Sequence, residues 1–196
     1  MVTVETCSEQ ICYEIHDPEN YLTPDVVADC KQITFTEVEK DKVAVTGITG
    51  KPKTETFKCS IGYKDCFIGE GEISYGGSNC MARAELAAEI LEKRIELTGI
   101  ELEEYRTDFI GCNSLYRDAI SKEIGSGTPC EVRLRAAGRT KDRKNAVLLA
   151  NEVEALYTNG PAGGGGAVKQ VSEIVSVCSI FVPRDDVTQK IRYFEV

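Results

Sequence analysis

The sequence predicts an α+β fold, in which a ferredoxin-like βαββαβ unit over about residues 66–183 follows a small antiparallel β-sheet. Two segments with apolar residues at helical spacing alternate with strand-like segments in the order β-α-β-β-α-β, which is the order of that arrangement. The 196 residues are 42% hydrophobic and 28% charged, as in globular proteins with a core of their own. We therefore expect two domains, residues 1–65 and 66–196.

The first domain is expected to be mainly irregular and β. One short helix is predicted to begin at Thr23–Asp25, where a capping threonine precedes a proline in the first turn. The β-branched segments Ile33–Glu39 and Val43–Ile48 predict a hairpin, and Thr54–Tyr63 predicts a third strand of the small sheet.

The second domain contains the ferredoxin-like elements. Apolar residues recur every three or four positions in both predicted helices, and Gly99 is expected to end the first of them. In chain order the predicted elements are strand Phe67–Tyr75, helix Asn79–Thr98, strands Tyr105–Gly111 and Cys130–Gly138, helix Asp142–Tyr157 and strand Ile174–Val182.

Three irregular connections are expected to meet at one end of this sheet. Right-handed βαβ crossovers place the segments Ser74–Asn79, Cys112–Thr128 and Thr158–Val171 together. Long connections in a compact unit are often functional, so this end is the predicted binding site.

The first connection could bind an anion. Gly76 and Gly77 allow close approach of a ligand, Ser78 or Asn79 can cap the following helix, and its N–H groups favour a carboxylate or phosphate. An ordinary capped turn is the more common alternative.

The other connections add candidate substrate-binding groups. A run of glycines suits a ligand-lining backbone or a mobile lid, and a flexible surface linker is the alternative. Neutral hydrogen-bonding groups follow the second strand. These candidates are Tyr157, Asn159, Gly160, Gly163, Gly164, Gly165, Asn113 and Ser114.

The sheet face opposite the helices is predicted to be charged. Glu70 and Glu72 are two residues apart on one strand, about 7 Å from each other and beside Arg133 and Arg135 of another. Two such carboxylates could divide acid and base roles in a hydration or an elimination. The alternatives are a cross-strand ion-pair lattice and a face buried against another chain.

Composition narrows the class of protein. The net charge of −9 without a basic stripe argues against nucleic-acid binding, and the sequence shows no membrane span and no secretory signal.

Nine scattered cysteines without CxxC spacing indicate free thiols in a reducing cytoplasm, with an iron–sulfur or other metal site as the alternative. His16 is the only histidine, so any histidine chemistry depends on it.

Four segments together resemble the acyclic terpene utilisation (AtuA-like) family. They are the central motif Phe67–Tyr75 with Arg83–Ala87, the glycine-rich signature Tyr157–Gly166, and Ile15–Val26. The resemblance implies a role in the catabolism of branched or unsaturated carboxylic acids, often as acyl-CoA thioesters, with no resident cofactor assigned.

Family members are much longer, and this chain resembles the second half of their main region. The resemblance therefore implies a partner chain that corresponds to the first half. We expect a small subunit with lyase or hydro-lyase chemistry at a shared site, where Glu70 or Glu72 would move a proton with His16 nearby. A non-catalytic structural or regulatory subunit is the alternative.

Overall fold

A computed structural model describes residues 1–124, 127 and 129–195, with the side chains of Cys12 and Glu14 excepted. Within it the chain divides into two compact units. The first unit comprises Met1–Ile61 and the residues from Val177 onward, and the second comprises Gly62–Ser176. The sequence-based division had assigned the residues after Val177 to the second domain.

The first unit contains a helix and two small sheets. Its elements are helix α1 (Val4–Glu14) and strands β1 (Tyr21–Leu22), β2 (Val26–Asp29), β3 (Thr34–Glu39), β4 (Lys42–Thr46) and β5 (Thr49–Pro52). Strands β1, β2 and β5 form an antiparallel sheet in that order. Strands β3 and β4 form the predicted hairpin, whose turn has Asp41 in the left-handed region at φ 58°.

The predicted helix at Thr23 is wrong. The Thr23 hydroxyl accepts a hydrogen bond from the Val26 N–H at 3.1 Å and donates one to the Val26 carbonyl at 2.7 Å. These bonds close a turn that leads into β2, since a threonine side chain can support a turn as readily as a helix cap.

Two further elements of this unit were not predicted. Helix α1 begins at the N-cap Thr3, whose capping box is completed by Thr6 in place of the usual Glu or Gln. Strand β5 occupies Thr49–Pro52, between the predicted hairpin and the predicted strand that begins at Thr54.

The remaining elements form the predicted ferredoxin-like arrangement. They are β6 (Thr56–Gly76), α2 (Cys80–Thr98), β7 (Glu104–Ile110), α3 (Arg117–Ile124), β8 (Glu131–Thr140), α4 (Arg143–Asn159) and β9 (Gly164–Pro183), followed by a 3₁₀ helix (Arg184–Asp186). The sheet order β7-β8-β6-β9 is that of a split βαβ repeat, so the predicted fold class is confirmed.

The core of the second unit lies between this sheet and helices α2 and α4. Ile73 and Tyr75 on β6, Leu134 on β8 and Leu91 on α2 are all fully buried. A Cβ on Gly69 would lie 2.1 Å from the carbonyl oxygen of Ala146 in α4. Glycine on β6 therefore permits close helix packing.

Two predicted connections contain regular structure. Helix α3 lies inside Cys112–Thr128, of which residues 125, 126 and 128 are outside the described part. Strand β9 starts within the glycine run, where a Cβ on Gly164 would lie 2.8 Å from Ile73 Cδ1 and 3.3 Å from Tyr75 Cε1. The glycine at 164 thus lets β9 begin directly against the core.

In the part of the chain that is described, no helix combines the length and the hydropathy required to cross a membrane.

Candidate functional site

Arg83 joins two of the glycine-containing connections. Its guanidinium, on the first turn of α2, donates to the carbonyls of Ala162 at 2.8 Å and Ser78 at 3.2 Å, and also to the carbonyl of Gly76. The connections that begin at Ser74 and Thr158 therefore meet at one end of the sheet, as predicted.

The turn before α2 is held by its backbone. Gly77 has φ 77° and donates its N–H to the Cys130 carbonyl at 2.7 Å. Asn79 is the N-cap at φ 58°, but its side chain makes no capping hydrogen bond. Of the two predicted capping residues, Asn79 is therefore the one at the N-cap, but it adopts the left-handed conformation instead of the extended one in which a side chain caps the helix.

Three of the predicted substrate-binding residues near the glycine run make contacts with other parts of this chain. The Tyr157 hydroxyl accepts a hydrogen bond from the Ala167 N–H at 2.8 Å, and Gly160 follows the end of α4 and donates to the Leu156 carbonyl at 3.1 Å. Gly163 has φ 79° and lies beside Arg83.

Two other candidates from this region differ in their surroundings. Asn159 lines a separate groove of about 210 Å³ beside Arg94 and Glu152. A Cβ on Gly165 would meet no atom within 4 Å. The glycine segments thus contain both closely packed and open positions.

A cavity of about 560 Å³ lies beside this end of the sheet, between α2 and α3. Phe109 and Met81 supply apolar surface, and Asn113 is the sequence-predicted residue that it contains. The other lining residues are Glu85, Gly111, Cys112, Asp118, Ser121, Lys122, Gly127 and Pro129. Ser114 lies in an adjoining groove, and its carbonyl accepts a bond from Arg106 at 3.2 Å.

A chain of polar groups fixes one wall of this cavity. Asn113 accepts from the Phe109 N–H at 2.8 Å and donates to Asp118 at 2.7 Å, while the Lys122 ammonium lies 3.2 Å from Asp118. The hydrogen bond from Asn113, followed by the bond and charge of Lys122, lowers the pKa of Asp118. The wall therefore presents a fixed carboxylate with an exposed ammonium next to it.

Cys112 is a half-buried thiol on the same cavity. Burial raises its pKa, and the neighbouring Cys80 adds to the shift. Because the thiolate is the reactive form, this environment does not activate Cys112 as a nucleophile. Because the thiol lines the cavity, the rate at which Cys112 is alkylated can report whether a ligand occupies the cavity.

The charged sheet face forms a network of ion pairs. Glu70 is bound by Arg135, and Glu72 by Arg133, each through a guanidinium hydrogen bond. Arg133 also donates to the Ser74 hydroxyl at 2.9 Å. Neither glutamate lines the cavity beside α3.

The network continues across β7 and β8. Asp108 is only 3% exposed and accepts bonds from Arg106 at 2.6 Å and from Arg135 at 3.1 Å. Each buried carboxylate on this part of the face thus has a guanidinium partner, as buried charges require.

The remaining catalytic candidate lies in the other unit. His16 lines a groove of about 490 Å³ within the first unit, with residues of β1, β6 and β9. The structure therefore places His16 in a different compact unit from Glu70 and Glu72.

Sequence reasoning missed Arg83 as the residue that joins the glycine segments, and it missed Lys122 and Asp118 as cavity groups. Arg83 sits in a helical pattern, and its carbonyl partners come from distant segments, so no local signal marks it. The Asp118 and Lys122 pair has the i, i+4 spacing of a helical ion pair and could have been found.

Among the described residues, no group of three or more His, Cys, Asp or Glu side chains is placed to hold a metal ion. Eight of the nine cysteines are described, and all eight are free thiols.

The chain was compared with known proteins and protein families. The family model described as "Acyclic terpene utilisation family protein AtuA" matches residues 1–193. No curated protein and no solved structure has significant similarity to the chain.

Proposed function

Because the chain belongs to the acyclic terpene utilisation family AtuA, with a role in acyclic terpene utilisation, we propose that it binds a branched or unsaturated carboxylic acid. The acid is free or is the acyl group of a CoA thioester. We further propose that it occupies the cavity between α2 and α3, within a system that carries out lyase or hydro-lyase chemistry.

The observation that supports this proposal best is the composition of that cavity. Its volume of about 560 Å³ lies in the range of small-molecule sites. Phe109 and Met81 suit an apolar chain, and the exposed Lys122 ammonium at the rim suits a carboxylate or a thioester oxygen.

The proposed proton transfer uses a carboxylate of the charged face. Glu70 and Glu72 remain the proposed groups from the sequence, with His16 as a third. Neither glutamate lines the cavity between α2 and α3, so this proposal is separate from the assignment of that cavity and is tested separately. Each glutamate accepts an arginine hydrogen bond at Oε2, which leaves Oε1 as the oxygen that would accept a proton from substrate.

The second candidate function is a non-catalytic structural or regulatory subunit. The ion-pair network favours it, because Glu70, Glu72 and Asp108 all have arginine partners within this chain. In this alternative the charged face stabilises the sheet and performs no chemistry.

We also propose a partner chain that corresponds to the first half of the family's main region. Large apolar side chains on β9 support it, since Val175 and Val177 are 62% and 69% exposed. Co-purification of this chain with the product of a neighbouring gene tests the proposal, and its failure to bind any such product would contradict it.

Binding in the cavity is tested by protection of Cys112. We expect a branched acid, or its CoA thioester, to slow alkylation of Cys112 as resolved by mass spectrometry, and to leave the exposed Cys178 unaffected. Lys122→Met should weaken this protection, and Lys93→Met, which removes an equally exposed helix lysine, should not. Equal alkylation rates with and without these compounds would contradict the cavity assignment.

Turnover by the co-expressed complex tests the catalytic assignment. We expect Glu70→Gln or Glu72→Gln to lower kcat with little change in substrate protection of Cys112. Glu131→Gln, at an exposed position on β8, is the matched control. Unchanged turnover in both variants would favour the non-catalytic subunit.

A further inference from the structure

Several polar side chains line the groove around His16. Lys58 and Ser60 stand two residues apart on β6 and so share a face of the strand. Tyr21 on β1 completes the set. In the described part of the chain, the side chains of these residues and of His16 make no hydrogen bond or ion pair.

The acidic and amide groups of the groove are occupied by their own loop. The Asp17 carboxylate accepts bonds from the N–H groups of Glu19 at 3.1 Å and Asn20 at 3.2 Å, and Asn20 also accepts a bond from Lys51 at 3.1 Å. The side-chain bond from Asn20 is the main cause of the lowered pKa of Asp17. Asp17 is therefore held by its own loop and makes no ion pair with Lys58, although it also lies within electrostatic range of His16.

The groove also has an apolar part. Phe181 on β9 is 61% exposed, and Leu22 on β1 is half-buried beside it. An exposed aromatic ring next to an uncompensated cation suits a ligand that has both an anionic head and a short apolar chain.

We propose that this groove is a second binding site, for a small monocarboxylate with an apolar chain. The carboxylate lies between the Lys58 ammonium and the His16 imidazole and accepts a hydrogen bond from Ser60. The chain of the acid contacts Phe181 and Leu22. This site lies wholly within the first unit and does not depend on the cavity that contains Cys112.

A monocarboxylate fits better than a phosphate because the groove offers one permanent cation. The other titratable groups that line it are His16, Asp17 and Tyr21. A dianion would lack a second fixed positive charge opposite it, whereas one carboxylate is matched by Lys58.

His16 provides a specific probe because it is the only histidine of the 196 residues. We would titrate the full chain with 3-methylbutanoate and follow the His16 ring resonances by NMR. We expect saturable shifts of these resonances, because a carboxylate bound beside the ring changes its electrostatic environment. Inorganic phosphate at the same ionic strength should produce smaller, non-saturating shifts.

Matched variants locate the carboxylate. Lys58→Met should weaken binding about tenfold or more, as expected on loss of a charged hydrogen bond, and Lys58→Arg should retain it. Lys53→Met, at an exposed lysine outside the groove, should leave the affinity unchanged. Chemical shifts of the first unit in the absence of ligand show whether each variant is folded.

Three results would overturn the proposal: no shift of the His16 resonances, the same affinity in Lys58→Met, or equal saturation by phosphate. Protection of Cys112 from alkylation is measured separately. Failure of the groove and failure of the proposed cavity therefore give different results.

Discussion

At Gly69 the backbone of α4 leaves no room for a side chain. A Cβ at this position would lie 2.1 Å from the carbonyl oxygen of Ala146, far inside contact distance. Because the obstacle is helix backbone, α4 must move away from the sheet to admit a methyl group.

We therefore expect Gly69→Ala to lower the free energy of unfolding by about 3 kcal/mol, as overpacking of a tight core does. Gly165→Ala is the control, because a Cβ there meets no atom within 4 Å, and it should change stability by less than about 1 kcal/mol. Urea unfolding of both variants measures this. Similar stabilities of the two would show that α4 adapts without cost.

Among the described residues, Asp65 is the carboxyl group whose pKa the structure lowers most clearly. The Ser176 hydroxyl donates to it at 2.6 Å, and Lys141 and Arg139 lie at 2.9 and 3.0 Å. The hydrogen bond from Ser176, followed by that from Lys141, lowers the pKa of Asp65 to about 2. The carboxylate is thus stabilised in the folded chain.

A lowered folded-state pKa stabilises the fold above the unfolded pKa of about 3.9, and this contribution is lost as the pH falls toward about 2. We expect Asp65→Asn to be less stable than the wild type at pH 6. The difference should shrink between about pH 4 and pH 2, as measured by urea unfolding. A difference independent of pH would contradict the assignment.

At the scale of elements, Arg83 links the start of α2 to the segment that leads into β9. Its three carbonyl partners come from Gly76, Ser78 and Ala162, so one side chain ties together two connections. A guanidinium suits this position because its fixed, planar donors can bind several oxygens at once.

We expect Arg83→Met to speed amide hydrogen exchange in residues 76–80 and 160–166 with little effect on the core of β8. Arg94→Met is the matched control, since Arg94 lies on the same helix but pairs with Glu152. It should leave exchange in the glycine segments unchanged. Faster exchange throughout the sheet would show instead a general loss of stability.

At the scale of the whole molecule, each of the two units contains both buried and exposed thiols. Cys30, Cys66 and Cys80 are buried, whereas Cys130 and Cys178 are exposed. The eight described cysteines are all free, which agrees with their use as small apolar residues.

We expect Cys130 and Cys178 to react with an alkylating reagent within the native chain, and the three buried cysteines to react only on unfolding. Mass spectrometry of peptides after timed labelling measures each site. Rapid labelling of Cys80 would mean that the contact of its thiol with the Pro129 carbonyl opens readily.

The sequence predicted the elements whose signals are local. The apolar stripes of α2 and α4 each depend on residues three or four positions apart, and both are present in the structure. The helix at Thr23 was predicted in error because one local pattern serves both a cap and a turn.

The candidate site was predicted less completely. The sequence identified Asn113 and the glycine segments, but Lys122, Cys112 and Asp118 become neighbours of Met81 only because α3 lies beside α2. Likewise, the partners of Glu70 and Glu72 were among the expected arginines, but the choice of Arg135 and Arg133 depends on strand register.

By itself the sequence determined the α+β class, the order of the ferredoxin-like elements and the family, because periodicity and motifs lie along the chain. The tertiary structure alone decided that the glycine run starts a strand against Tyr75, that Arg83 joins two connections, and that His16 and Lys58 line one groove. Those features depend on contacts between residues far apart in the chain, which no local pattern encodes.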